Sequence, residues 1–330
     1  MFRQKLMGGI RRWWFVLLIV GMIGVIAFIL FTPWNIANLT SHPNPVQSYA
    51  EAVQRIETVW AQEASGMNPV CRLQFMTHDQ PVERAIVLVH GYTNCPQQFH
   101  ELGQRFYDLG YNVLIAPLPY HGLADRMTEE HAQLKAKDLV TYADEMVDIA
   151  HGLGKQVVIV GISGGGVTVA WTAQYRQDID LAVIISPAFG YQQIPAPLTM
   201  PAANLYLTLP NSFQWWDPSL QADSGEAYTY PRYSTRALAE FLRLGFAVQG
   251  AAQREPPAAH SILVVTNAND TAVNNVLTAS VVKVWREHGA SVTTSEFEAE
   301  LQLGHDVIDP TQPYERIDIV YPRLIDLITK

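Results

Sequence analysis

The hexapeptide GISGGG, residues 161 to 166, sets Ser163 between glycines, directly after the apolar run QVVIV and ahead of VTVAWTAQYR. A G-x-S-x-G pattern arises by chance in roughly one chain in ten of this size, given ordinary glycine and serine usage. Its context therefore decides its meaning. Here a strand-like run ends and a helix-like run begins, the setting of a nucleophile elbow. There the turn is sharp, the glycines admit close backbone approach, and the hydroxyl is lifted above the sheet. A phosphate-binding loop is the rival reading, but the stretch lacks both the lysine and the glycine spacing that such a loop needs.

A serine hydroxyl attacks only when a base takes its proton, and that base must be held in one tautomer by an acid. In a strand-elbow-helix architecture the chain order is serine, acid, histidine. Asp270 in VVTNANDTAV and His305 in LQLGHDVID satisfy it, each placed just after a strand-like run. Of the other histidines, His260 and His288 fall away from that edge, and the rest precede Ser163. Asp306 is a rival acid, but adjacency to His305 makes it awkward for its carboxylate to reach the imidazole Nδ1. A developing oxyanion would need two backbone N–H donors. One is expected from Gly164 and the other from the loop after the run AIVLVH, where HGYTNCP supplies His90, Gly91 and then Tyr92. His90, in the same loop, reads as a residue that shapes the turn.

These residues need elements to position them. Short β-branched runs recur at RAIVLVH (84–90), NVLIAP (112–117), QVVIVG (156–161), LAVIIS (181–186), SILVVTN (261–267) and VTTSEFE (292–298). Near-continuous apolar strands fit a sheet covered on both faces. Helical stretches such as QQFHELGQRFYDLG and DLVTYADEMVDIAHGLG lie between them, each ending near a glycine that can take the left-handed cap. The alternation predicts an α/β domain with a mostly parallel sheet and helices on both faces. A final helix, interrupted or kinked near Pro322, closes the chain. The long stretch between IISPAFG and SILVVTN exceeds an ordinary connection. It is rich in proline and aromatics and predicts a cap at about 191–258 over the carboxyl edge of the sheet, where open α/β sheets bind ligands. An insertion packing only on itself is the alternative.

The first residues are a separate matter. WWFVLLIVGMIGVIAFILFTPW, residues 13–34, carries no charge, with tryptophans at its two ends. That is long enough for a helix crossing a bilayer core of about 30 Å. A cleaved signal peptide is the alternative, although its apolar region would be shorter and would end in a better cleavage site. Arg3, Lys5, Arg11 and Arg12 precede the run, so residues 1–12 are expected in the cytoplasm and the remainder outside it. Residues 35–69 then read as a linker, extended by Pro43 and Pro45, followed by an amphipathic helix that packs on the domain surface. With 22 basic and 31 acidic side chains, a formal charge of −9, the chain offers no patch for nucleic acid.

Taken together, VLVHGYTNCPQQF, GYNVLIAPLPYHG, VVIVGISGGG, NDTAV and LGHDVI resemble the α/β-hydrolase superfamily. The likeness is greatest to bacterial carboxylesterases and monoacylglycerol-lipase-like serine hydrolases. It covers residues 70–330, and it implies that Ser163, Asp270 and His305 correspond to the family triad, with Tyr92 and Gly164 as oxyanion donors. It does not select a substrate, because one fold hosts many chemistries. Segment 1–69 and the two cysteines fall outside the shared pattern. In an oxidising compartment Cys71 and Cys95 are expected to form a disulfide that tethers the oxyanion loop, whereas a reversed topology would leave two buried thiols. No histidine, cysteine or carboxylate cluster has metal-ligand spacing, and no cofactor is called for.

The expected activity is hydrolysis of carboxylic esters with apolar acyl or alkyl groups through an acyl-enzyme, by a membrane-anchored serine hydrolase. Thioester or peptide cleavage and acyl transfer use the same constellation. A membrane-tethered, non-catalytic binding module on the same scaffold is the alternative from another class. Oligomeric state is not legible.

Overall fold

The computed structural model describes residues 2–63, 65–223, 225–312 and 314–330, with side chains from residue 13 onward. The side chains of Arg3, Lys5, Arg11 and Arg12, on which the orientation of the anchor rests, lie outside the described residues.

The near-continuous apolar runs form the strands. β2 (Val82–Val89), β3 (Asn112–Ile115), β4 (Gly154–Ile162), β5 (Leu181–Ile185), β8 (Ser261–Asn267) and β9 (Val292–Phe297) pair in parallel, and β1 (Gln74–Met76) adds an antiparallel edge. The sheet order is β1-β3-β2-β4-β5-β8-β9. Side chains alternate across it, so each strand feeds two cores. Ala85, Val87 and Val89 pack with Val157 and Ile159 beneath α4 (Ala136–Leu153), α5 (Gly164–Tyr175) and α7 (Thr235–Ala252). Ile86 and Leu88 pack with Val158, Val160 and Ile162 beneath α3 (His100–Asp108) and α9 (Ile317–Thr329). Because both faces are covered, these strands read as apolar runs rather than as alternations. α9 continues through Pro322.

Short elements escape the sequence reading. β1 has three residues, and the insertion carries its own two-stranded sheet, β6 (Phe213–Trp215) against β7 (Arg232–Ser234), after helix α6 (Thr199–Thr208). Strands this short hold no periodicity to read. α8 (Asn275–Glu287) follows β8.

The segment expected as a linker is docked on the domain. Leu39 and Val46 are buried, and the Trp171 indole on α5 donates to the Leu39 carbonyl at 2.8 Å. Helix α2 (Tyr49–Ala61) starts with Ser48 as its N-cap and buries Ala52 and Ile56 against α4. A buried ionic cluster organises this region. Arg176 spans Asp144 (3.1 Å), Asp148 (2.7 Å) and Asp178 (2.7 Å). Asp144 and Asp148 in turn accept from the backbone N–H groups of His42 and Asn44. Ahead of this segment runs α1 (Phe2–Phe31), whose apolar portion Trp13–Phe31 is fully outside the domain core.

Candidate active site

Ser163 sits where β4 gives way to α5, at φ 57° and ψ −116°. A side chain rarely adopts this region, and the strain persists because the surroundings fix the turn. Its N–H donates to the Ile185 carbonyl (3.0 Å), and its own carbonyl accepts from Val167 (3.0 Å) and Ala188 (3.1 Å). The flanking glycines are required by packing. A β-carbon on Gly161 would meet the Gly165 carbonyl oxygen at 2.4 Å, and one on Gly165 would meet the Val89 carbonyl oxygen at 2.2 Å.

Asp270 follows β8 in a tight turn. One carboxylate oxygen accepts from the N–H groups of Ala272 (2.9 Å) and Val273 (3.1 Å), and the other lies 2.8 Å from His305 Nδ1. His305 is carried by the loop after β9. The Asn267 side chain holds that loop beside Asp270 by donating to the carbonyls of Leu303 (3.0 Å) and Gly304 (2.7 Å). Burial by itself would disfavour the imidazolium, but the charge of Asp270, their hydrogen bond and nearby Asp306 raise the His305 pKa to about 9. Burial likewise disfavours the Asp270 carboxylate, yet the His305 charge and the hydrogen bonds it accepts lower its pKa on balance. Asp306 accepts instead from the Gln98 amide at 2.9 Å.

The loop after β2 passes close to the serine. A β-carbon at Gly91 would lie 3.6 Å from that of Ser163. Gln98 braces this loop from below: its amide oxygen accepts from the Gly91 N–H (2.9 Å) while its amide nitrogen reaches Asp306. Tyr92 is pinned to the cap, its hydroxyl within 2.9 Å of His131 Nδ1 and accepting from the Ser234 N–H at 2.8 Å. Thr93 accepts from the Trp216 indole (2.8 Å) and, through its carbonyl, from the Tyr230 N–H (2.8 Å). Cys71 and Cys95 are joined in a disulfide, which ties the end of the same loop to the segment ahead of β1.

His90 has both ring nitrogens occupied. Nε2 accepts from the Leu118 N–H at 2.9 Å, so Nδ1 carries the proton and donates to the Gly91 carbonyl at 2.8 Å. Burial, with the neighbouring His121, lowers its pKa to about 3, which keeps it neutral. His90 therefore shapes the turn.

Ser163, His305, Tyr92 and Asp306 line one cavity of about 350 Å³, roofed by Tyr191, Trp216 and Tyr230 from the insertion. The insertion thus covers the carboxyl edge of the sheet as a cap. The aromatics Trp216 and Tyr230 belong to the stretch expected as a cap, whereas Asn267 and Gln98 give no sign in the sequence that they support the site. An amide at a strand end and a glutamine in a loop leave no pattern until the fold brings their partners close.

Comparison with known proteins gives a consistent picture. Residues 80–245 match the family described as Serine aminopeptidase, S33. The chain is 25% identical over 131 residues to the thermostable monoacylglycerol lipase of Bacillus sp. (strain H-257), a match covering 38% of this chain and 48% of that relative. It thus spans about half the length of that relative. Among solved structures, one from a study of LipS and LipT, two metagenome-derived lipolytic enzymes, aligns with a TM-score of 0.60 at 17% identity, covering 80% of this chain and 99% of that one. The monoacylglycerol lipase of Paleococcus ferrophilus aligns with a TM-score of 0.58 at 15% identity, covering 78% of this chain and 97% of that one. At such identities these likenesses speak for the α/β-hydrolase fold.

Proposed function

The chain belongs to the serine aminopeptidase S33 family of the α/β-hydrolase fold, and from that premise we propose that it is a lipase- or esterase-type serine hydrolase acting through Ser163, His305 and Asp270. The observation that carries this reading is the 2.8 Å contact between Asp270 and His305 Nδ1, at the edge of a cavity that Ser163 shares. Asp270 fixes the tautomer that presents Nε2 to the cavity. In the proposed reaction His305 removes the Ser163 proton, and the serine oxygen attacks an ester carbonyl. The N–H groups of Tyr92 and Gly164 hold the resulting oxyanion, each worth about 3 kcal/mol in related chemistry. His305 then protonates the leaving alcohol and activates water to release the acid.

The cap and the apolar helix support a substrate class. Tyr191, Trp216 and Tyr230 offer an apolar roof to an acyl or alkyl chain. The apolar helix Trp13–Phe31, 19 residues long, has the length to cross a bilayer. The proposal is therefore a membrane-anchored enzyme for apolar carboxylic esters. The relatives named as monoacylglycerol lipases support esters of this kind.

A fluorophosphonate probe on the folded full-length protein, read by intact mass, tests the reaction. One probe per chain, abolished in Ser163→Ala, is expected. A folded wild-type protein that stays unlabelled while turning over no ester of any chain length would leave the scaffold as a binding module. Faster cleavage of peptides than of esters would instead move the substrate class to amides.

A further inference from the structure

The end of the apolar helix does not hang free of the domain. The last carbonyls of a helix have no partner within it, and at a membrane boundary they must find one. Here the side-chain amide of Asn204, on cap helix α6, lies 3.0 Å from the carbonyl of Ile29, 2.9 Å from that of Leu30 and 2.9 Å from that of Thr32. Trp34 adds an indole N–H to Ile29 at 3.0 Å. Asn204 is itself buried, and the C-terminal end of α1 meets α6. A polar side chain sealed under a cap has been spent on the exit of the apolar helix.

The rest of α6 fits the same location. Ala203 is buried, and Met200 and Leu207 pack against the core, which seats one face of the helix. Leu198, Leu205 and Leu209 remain 49%, 46% and 46% exposed, at its start, middle and end. From Gln192 to Trp216, a stretch lying mostly at the surface, no charged side chain occurs. An ordinary water-facing surface carries about 25–35% charged residues. A run this long without one, presenting three leucines beside the end of a bilayer-length helix, matches the chemistry of the headgroup and acyl boundary. An apolar helical face sinks about 5–10 Å into that region.

We propose that Asn204 locks the cap to the exit of the membrane helix and seats Leu198, Leu205 and Leu209 in the outer boundary of the same bilayer, so that the enzyme draws its ester substrate from that membrane. This rests on the membrane anchoring proposed above. Asn204 is a positioning residue in this arrangement. It touches neither substrate nor the triad, and it fixes how the cavity is presented to the lipid. The anchor then acts as part of the cap rather than as a loose tether.

The test uses the full chain reconstituted in phosphatidylcholine vesicles. An environment-sensitive fluorophore is attached at Leu205→Cys or, as a control, at Leu109→Cys, an exposed position beyond the C-terminus of α3. A lipid-borne spin label is expected to quench the first and spare the second. In parallel, Asn204→Leu and the triple variant Leu198→Glu, Leu205→Glu, Leu209→Glu are assayed on a long-chain ester dissolved in the vesicles and on a short water-soluble ester. Hydrolysis of the vesicle-borne ester is expected to fall by about tenfold or more because the still-anchored domain no longer holds its cavity against the bilayer, with the soluble ester within about twofold of wild type. The triple variant changes only exposed side chains, so it keeps the test valid should Asn204→Leu fail to fold. Equal quenching at the two positions would overturn the proposal while the anchor stands. So would unchanged hydrolysis of the vesicle-borne ester in the variants. Wild-type protein that fails to float with the vesicles would overturn both this proposal and the anchoring beneath it.

Discussion

Gly161 and Gly165 stand face to face across the elbow, so close that a β-carbon on the first would lie 2.4 Å from the carbonyl oxygen of the second. The glycines of the serine motif are thus a packing requirement set by the crossing of β4 and α5, and Ser163 pays for that crossing with its positive φ. Gly165 is the tighter of the two, pressed against Val89 of the neighbouring strand. Gly165→Ala is expected to cost more than about 3 kcal/mol, the range of severe core overpacking and backbone strain. Urea unfolding of a cap-to-C-terminus-intact protein measures it. A variant of near wild-type stability that still reacts with the serine probe would show that the elbow yields more easily than its contacts imply.

The pH profile follows from His305. A base must be neutral, so with its pKa raised to about 9 the free enzyme gains activity as pH rises and levels off only above that value. Asp270→Asn removes the charge that holds the imidazolium. The acid limb of kcat/KM should then move to lower pH, while kcat falls about ten-thousandfold through the wrong tautomer. A profile already flat from about pH 6 upward would separate His305 from the catalytic base. Stability carries the same signature. The raised His305 pKa stabilises the fold fully below its ordinary 6.5, and this is lost as pH climbs through about 9. The lowered Asp270 pKa stabilises the fold above its ordinary 3.8, and this is lost as pH falls through the depressed value.

Gln98 links two loops that the proposed reaction needs in register, one carrying Tyr92 and one carrying His305. Gln98→Leu keeps much of the volume and leaves the Gly91 N–H unpaired. Loss of alignment should lower kcat by about tenfold or more with little change in KM. A burst of acyl-enzyme formation slowed in step with kcat would place the defect in acylation. Equal loss in KM instead would assign Gln98 to substrate binding.

Arg176 has its whole side chain buried among three aspartates. Arg176→Met strands Asp144 and Asp148 without their counter-charge, at a cost of about 3–5 kcal/mol. Because those carboxylates also receive the backbone of His42 and Asn44, the segment joining the apolar helix to α2 should loosen with them. Hydrogen exchange across residues 39–48 reads this directly. Protection there equal to wild type would show that Leu39 and Val46 hold the segment without the charges.

The parts legible in the sequence are those whose physics is local. The β-branched runs around Val87, Ile159 and Val183 announce a two-faced sheet because each residue must be apolar whichever face it takes. That Ser163, Asp270 and His305 come together at one edge is legible through chain order, since the sheet fixes which strand ends meet. Asn267, Gln98 and Asn204 are not. Each is one amide whose partners lie far along the chain or on another element, and its role appears only when those carbonyls and N–H groups converge. Leu39 and Val46 are hidden for a related reason. They are isolated apolar residues in a polar stretch, and the neighbouring backbone of His42 and Asn44 reaches α4 only through distant Asp144 and Asp148.

The Trp171 indole grips the Leu39 carbonyl, and Trp171 belongs to α5, the helix that Ser163 caps at its N-terminus. Between Phe31 and Leu39 the chain could stretch no further than about 30 Å even if pulled straight. On a bilayer, that short reach would set the kind of kinetics the enzyme obeys. Diluting the suspension would leave its encounters unchanged, whereas spreading the same ester over more lipid would slow it. Its working concentration would be a surface density, counted in molecules per unit area of membrane.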